Sequence, residues 1–289
     1  MRVGNAAHAQ LQLDVYGELI DAFHQSRVAE LKLDEGSWDL ECTVLDHLAE
    51  VWDQPDHGIW ERRGDGAHYV SSKVMTWVAF DRGIKSAKQF GFKAPLDRWR
   101  SLRDEIHREV CDKGFDRELN SFVMCYGSQW LDASILLLPS VGFLPARDPR
   151  VLGTLAAIEK YMMRDGFVLR HDPREISNEI QPIEGAFLAC TLWLADAYVL
   201  AGEIDQAQIL FDRVVGIAND VGFPVAVLVI GFIAYMWGRW WREAAAGCGA
   251  RRVTIRTSRP RMRARSTRFV CRATPHYRKR HIPPASPNA

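Results

Sequence analysis

Apolar residues recur with a helical period from about residue 8 to residue 220, whereas the alternating pattern of a half-buried strand is rare and short, so the body of the chain reads as all-α. Helices are expected at about 8–31, 37–52, 70–90, 96–113, 130–141, 149–164, 184–201 and 205–219. Their ends carry start and stop signals: Ser37 before Trp38, Asp148 and Pro149 as N-cap and first helical residue, and Gly91, Gly114, Gly166 and Gly202 just past last turns.

These helices differ in kind. Segments 131–144 and 186–201 are apolar nearly all round and should be enclosed by other helices. Segment 96–113 has a single stripe, Leu96, Trp99, Leu102, Ile106 and Val110, opposite a charged face, and 149–164 and 205–219 resemble it. Alternation of enclosed and amphipathic helices points to two concentric helical layers, although a helical solenoid would alternate in the same way. The long loops 53–69, 114–129 and 166–184 lie between these helices and are rich in Asp, Gly, His, Trp and Arg, which makes them the place to look for function.

Composition changes this picture at one end only. The 289 residues carry a net charge of +1 and are 47% hydrophobic, which excludes a collagen, a disulfide-rich miniprotein and a disordered chain. The balance is a cancellation: residues 251–289 hold 12 of the 37 basic residues and none of the 36 acidic ones, so residues 1–250 carry −11. Six scattered cysteines with no C-x-x-C pair fit a reducing, cytoplasmic setting. The start of the chain has no apolar signal core, so no secretory signal is expected, and an abrupt start also fits a fragment.

The stretch richest in candidate chemistry runs from Asp56 through His57, Gly58, Ile59, Trp60, Glu61, Arg62 and Arg63 to Gly64, a glycine-bracketed loop with a carboxylate directly after a tryptophan. Glycoside hydrolysis needs a carboxylic acid kept protonated near neutral pH, and an aromatic neighbour can do this by desolvation. The same residues also fit a loop carboxylate paired to Arg62 or Arg63. His8, His47, His68 and His107 have no metal-ligand spacing and read as surface or loop residues, and neither a glycine-rich phosphate loop nor a Ser-His-Asp arrangement is supported.

Five stretches, 4–23 (GNAAHAQLQLDVYGELIDAF), 56–82 (DHGIWERRGDGAHYVSSKVMTWVAFDR), 127–154 (GSQWLDASILLLPSVGFLPARDPRVLGT), 165–170 (DGFVLR) and 184–222, together resemble the catalytic domain of bacterial glycoside hydrolase family 15, which includes glucoamylase-like enzymes and trehalases. The resemblance runs in order along about residues 2–222. It implies an (α/α)6 barrel, incomplete here because eight expected helices fall short of twelve. It also implies inverting, exo-acting hydrolysis of a terminal α-glucosidic bond, as in trehalose or a maltooligosaccharide, with two carboxyl groups and neither metal nor other cofactor.

In that resemblance Glu61 is the general acid, Trp60 lines the subsite of the released sugar, and Arg170 donates to its hydroxyls, with His171 where the family usually has tyrosine. Arg2, Gly4 and Asn5 resemble the end of another substrate-side motif. After Asn219, Asp220, Val221 and Gly222 the family's acidic segment, which holds the general base, has no counterpart. Glu179 and Glu184 are acidic residues that can lie near a pocket, but neither is assigned the role. Impaired hydrolysis is therefore expected of this chain.

The expected organisation is a partial catalytic domain at 1–222, an apolar segment at 223–241 and a basic, disordered tail at 242–289. The 15 uncharged residues from Phe223 to Trp237 are short for a membrane span, which needs about 20, and Pro224 breaks their start. The Arg-rich tail would bind nucleic acid without sequence preference. Its Arg, Ala and Pro richness also fits high-GC DNA read out of frame, and a frameshift near codon 222 is the preferred reading. A helical-repeat binding module is the non-enzyme alternative, resting on a half-repeat pattern between Leu194 and Phe211 that does not recur at a fixed period.

Overall fold

A computed structural model describes residues 6–31, 36–175 and 185–217. Seven α-helices lie among them: α1 (Asp14–Val28), α2 (Ser37–Val51), α3 (Val70–Phe90), α4 (Leu96–Lys113), α5 (Pro149–Met162), α6 (Leu188–Ala201) and α7 (Ile204–Gly216). Two antiparallel hairpins of two-residue strands fill parts of the long loops. In the first, β1 (Phe115–Asp116) pairs with β2 (Ser121–Phe122) and Phe115 faces Phe122; in the second, β3 (Met163–Arg164) pairs with β4 (Phe167–Val168) and Met163 faces Val168.

The centre of the packing is α3, in which every residue from Val70 to Ile84 is buried. It packs against α1 on one side and α4 on another. Gly17 makes the first contact possible: a Cβ there would lie 2.2 Å from the Met75 carbonyl oxygen, so α1 and α3 meet backbone to backbone. The buried charges on α3, Lys73, Asp81 and Arg82, hide its enclosure from a reading of hydrophobicity, because each one is matched inside the protein. Lys73 Nζ donates to the carbonyls of Trp52 (2.5 Å) and Gln54 (2.8 Å). Arg82, 1% exposed, donates to Asp21 (2.6 Å), to the Val141 carbonyl (2.8 Å) and to Asp81.

Helix α6 is enclosed as its all-round apolar sequence requires, with Cys190 to Tyr198 buried, and it packs against α7. Helix α4 is one-sided as expected: Trp99, Ile106 and Val110 are buried and Leu96 and Leu102 are partly covered. Two helices, α3 and α6, are enclosed and the other described helices are half-exposed, an arrangement that fits part of an (α/α)6 barrel. No helix among the described residues is long and apolar enough to cross a membrane.

The expected helix at 130–141 is corrected. Only a five-residue 3-10 helix forms, Ala133–Leu137, because Asp132 turns the chain by capping the Ser134 N–H (2.8 Å) and Pro139 lacks the donor a longer helix would need. Ala133, Ser134, Ile135, Leu136 and Leu138 are nevertheless buried, so the apolar run reports enclosure and not helical pitch. The first helix starts at Asp14 and not near residue 8, since a separate 3-10 turn (Ala6–Ala9) precedes it and the Leu13 N–H is taken by Asp56 (3.1 Å).

Among the caps, Asp148 accepts from the Arg150 N–H ahead of Pro149, and Gly91 and Gly202 end helices with left-handed φ, as expected. Ser37 does not cap: it is the first helical residue, and its hydroxyl accepts from Arg27 (3.3 Å), which also pairs with the buried Glu41. Gly166 turns the second hairpin and caps no helix. The segments 223–241 and 242–289, with the membrane, nucleic-acid and frameshift readings attached to them, lie outside the described residues, as do Arg2, Gly4, Asn5, Glu179 and Glu184.

Candidate active site

The loop between α2 and α3 is closed at its base. Asp56 and Ala67 exchange both backbone hydrogen bonds (2.9 and 2.8 Å), and His57 donates from its N–H to the Leu11 carbonyl (3.0 Å). Inside that closure the chain turns tightly: the Glu61 N–H donates to Gly58 and the Arg62 N–H to His57 (both 3.1 Å). The turn needs left-handed backbone at Gly58 (φ 66°) and at Glu61 (φ 51°), uncommon for a residue with a side chain. A Cβ at Gly58 would also touch the Tyr69 ring at 3.1 Å. Glu61 is therefore held at the apex of a strained turn.

The carboxyls beneath the loop are desolvated. Burial first, and then the neighbouring Asp56, push Asp14 up to about 6. Burial also raises Asp56, against hydrogen bonds from Ser72 and from the Leu13 and Gly58 N–H groups. Burial lowers the Lys73 ammonium to about 8 and pushes the Tyr69 phenol up to about 12.

Trp60 turns inward from this loop. Its indole Nε1 donates to both oxygens of Asp132, at 3.0 and 2.9 Å. The rings of Trp193, Phe187 and His171 each stand 5.9 Å from the Trp60 ring, and the Arg170 guanidinium carbon lies 5.2 Å from its centroid. Arg170 is delivered by a short ladder between residues 131–133 and 170–172. The Ala133 N–H donates to the Arg170 carbonyl (3.1 Å), the Asp172 N–H donates to Leu131 (3.3 Å), and Asp132 bridges to His171. Burial would raise the Asp172 carboxyl, but hydrogen bonds from Arg174 and from backbone N–H groups outweigh it and hold it below the usual carboxylate range.

The structure thus brings Trp60 and Arg170 together, and Glu61 follows Trp60 in the chain. It differs from the expectation in one respect: the Glu61 side chain is exposed among the described residues, and the shielding by Trp60 is not formed there. Arg62, one of the two arginines that follow Glu61, binds Glu175 through both terminal nitrogens (3.1 and 2.5 Å). Residue-by-residue reading missed Asp132, Phe187 and Trp193. A signal for the first was present, a single carboxylate at the head of an otherwise apolar run; nothing local distinguishes the other two from core residues.

The sequence matches glycosyl hydrolases family 15 over residues 1–259. The chain belongs to this family. Relatives of this family-15 chain include a trehalase of Thermoplasma volcanium, 40% identical over 222 residues that make up 77% of this chain and 35% of that one, and a trehalase of Mycobacterium tuberculosis, 38% identical over 76% and 32%. The chain therefore spans about a third of the length of these relatives. Among solved structures, a glycosidase in complex with glucose is similar over 74% of this chain and 55% of that one, with a TM-score of 0.63 and 20% identity. A bacterial glucoamylase complexed with acarbose is similar over 70% and 35%, with a TM-score of 0.51 and 14% identity. At those identities the likeness is one of fold, and it agrees with the enclosed and half-exposed helices of this family-15 chain.

Proposed function

We propose that this family-15 chain is part of an exo-acting hydrolase that cleaves a terminal α-glucosidic bond with inversion, on trehalose or a maltooligosaccharide. The observation that carries this reading is the Trp60 ring with the Arg170 guanidinium 5.2 Å from its centroid, beside a carboxylate fixed at the apex of a turn. An aromatic ring covers the C–H face of a glucose unit, and a guanidinium donates to its hydroxyls in a planar fork. Glu61 is the general acid, delivering a proton to the glycosidic oxygen as the bond breaks. An inverting reaction requires a second carboxylate about 6.5–9.5 Å away to activate water. No residue is assigned that role: in the family match, which runs to residue 259, we read no counterpart after Gly222 of the acidic segment that bears it. The chain is accordingly poorly active by itself. Free thiols at Cys42, Cys111, Cys125 and Cys190 support a cytoplasmic setting.

The test is glucose release from trehalose and from maltose by the purified 289-residue chain, together with glucose binding by Trp60→Ala and Arg170→Ala variants. Binding that is lost in both variants, with little or no hydrolysis, is the expected result. Robust hydrolysis that disappears in Glu61→Gln would overturn the claim of impairment. Binding indifferent to both substitutions would overturn the sugar site.

A further inference from the structure

Asp132 is a buried carboxylate, 3% exposed, doing more than a cap requires. Capping uses one oxygen: Oδ1 accepts from the Ser134 N–H (2.8 Å) and from the Ser134 hydroxyl (2.5 Å). Oδ2 takes no part in this. It faces the Trp60 indole at 2.9 Å and His171 Nδ1 at 3.4 Å, and the same indole N–H also reaches Oδ1 at 3.0 Å. The carboxylate thus stands where three separate pieces of chain meet: the α2–α3 loop through Trp60, the 3-10 turn through Ser134, and the stretch after the second hairpin through His171. Its own backbone lies in the ladder whose next rung, Ala133 N–H to the Arg170 carbonyl at 3.1 Å, sets Arg170 over Trp60.

We propose that Asp132 is a positioning residue for the sugar site, fixing the plane of the Trp60 ring through its indole N–H and holding that ring in register with Arg170. This rests on Trp60 and Arg170 forming the sugar site, as proposed above. A tryptophan side chain turns about two torsions, and ring packing alone leaves its polar edge undirected. A carboxylate acceptor in a site shielded from water supplies the direction, because a hydrogen bond to an ionised group is roughly twice as strong as one between neutral groups. One carboxylate then sets both the wall the sugar lies against and, through the neighbouring rung, the donor to its hydroxyls.

The experiment uses the full chain labelled with 15N and follows the Trp60 indole N–H resonance, assigned by its loss in Trp60→Phe, alongside an NMR titration with glucose. In Asp132→Asn the indole proton should move upfield as the charged acceptor is lost, and in Asp132→Ala further still. Glucose should bind each variant about tenfold or more weakly. Ser134→Ala is the control for a merely structural role: it removes a bond to Oδ1, so it should lower the melting temperature while the indole, still held by Oδ2 at 2.9 Å, shifts far less than in Asp132→Asn and glucose affinity stays in place. An unmoved indole resonance in Asp132→Asn would overturn the proposal, and so would a Ser134→Ala variant that weakens glucose binding as much as Asp132→Ala. A wild-type chain that binds no glucose defeats the sugar-site reading on which the binding arm depends, while the indole arm still decides whether Asp132 sets the ring.

Discussion

Arg62 holds Glu175 through both terminal guanidinium nitrogens, at 3.1 and 2.5 Å, and so ties the turn that carries Glu61 to the chain just beyond Arg170. The pair is partly exposed, and each residue is bound elsewhere too: Arg62 also donates to Met124 Sδ (3.1 Å) and its carbonyl accepts from Gln10 (3.0 Å). A double-mutant cycle with Arg62→Ala and Glu175→Ala should give a coupling energy of about 1 kcal/mol in urea unfolding, falling as salt is added. A coupling near zero at low salt would show that the two loops are held together by other contacts.

Arg82 is a deeply buried cation on α3, satisfied by Asp21, Asp81 and the Val141 carbonyl. Truncating it takes the guanidinium away from two buried carboxylates, Asp21 and Asp81, of which Asp81 keeps Lys85 at 2.9 Å. Arg82→Ala should therefore destabilise the fold by about 3–5 kcal/mol, read from denaturant midpoints. A loss below about 1 kcal/mol would mean that water reaches this centre.

Two buried groups should drive stability in opposite directions over the same pH range. Asp14 is raised by burial to about 6 from 3.8, so its contribution to stability is complete below pH 4 and is lost as pH rises through 6. His24, hydrogen-bonded to Ser86, is lowered by burial and by Arg82 to about 4 from 6.5, so its charging costs stability as pH falls from 6.5 towards 4. Asp14→Asn should be more stable than wild type at pH 7, by up to about 3 kcal/mol, and no more stable at pH 4. His24→Gln should show its advantage at pH 4 instead. Unfolding curves at the two pH values check both; an Asp14→Asn gain that is the same at both would contradict the assignment.

Gly17 tests the backbone contact between α1 and α3. A methyl at this position would overlap the Met75 carbonyl, so Gly17→Ala should cost about 1–3 kcal/mol despite the better helix propensity of alanine. A neutral or stabilising effect on the melting temperature would show that the two helices can slide apart without loss.

The legible parts of the fold were those where local pattern and burial agree. The stripe of α4 and the all-round apolar run of α6 each named both an element and its surroundings. Pattern failed where the two diverge. The run after Leu131 is enclosed yet too sharply turned by Asp132 and Pro139 to be an α-helix. Helix α3 is enclosed yet carries Lys73 and Arg82, whose partners Trp52, Gln54, Asp21 and Val141 lie on other stretches of the chain and leave no local trace. The site divides in the same way: Trp60, Glu61 and Arg170 sit in motifs that resemblance identifies, whereas Asp132 becomes a site residue only once two distant loops are brought together.

Those distances also set an order of events during synthesis. Trp60 and Asp132 are 72 residues apart, and Arg62 and Glu175 are 113 apart. At a translation rate of about 5–20 residues per second, the turn bearing Glu61 leaves the ribosome roughly 6–23 s before the carboxylate that clasps its neighbour. At the start of that interval the α2–α3 loop relies on residues already made, through its base closure at Asp56, Ala67 and Leu11 and the Gln10 bond to the Arg62 carbonyl. The closure at Asp56 thus serves the nascent chain as a placeholder, keeping the loop in shape until the rest of the site is made.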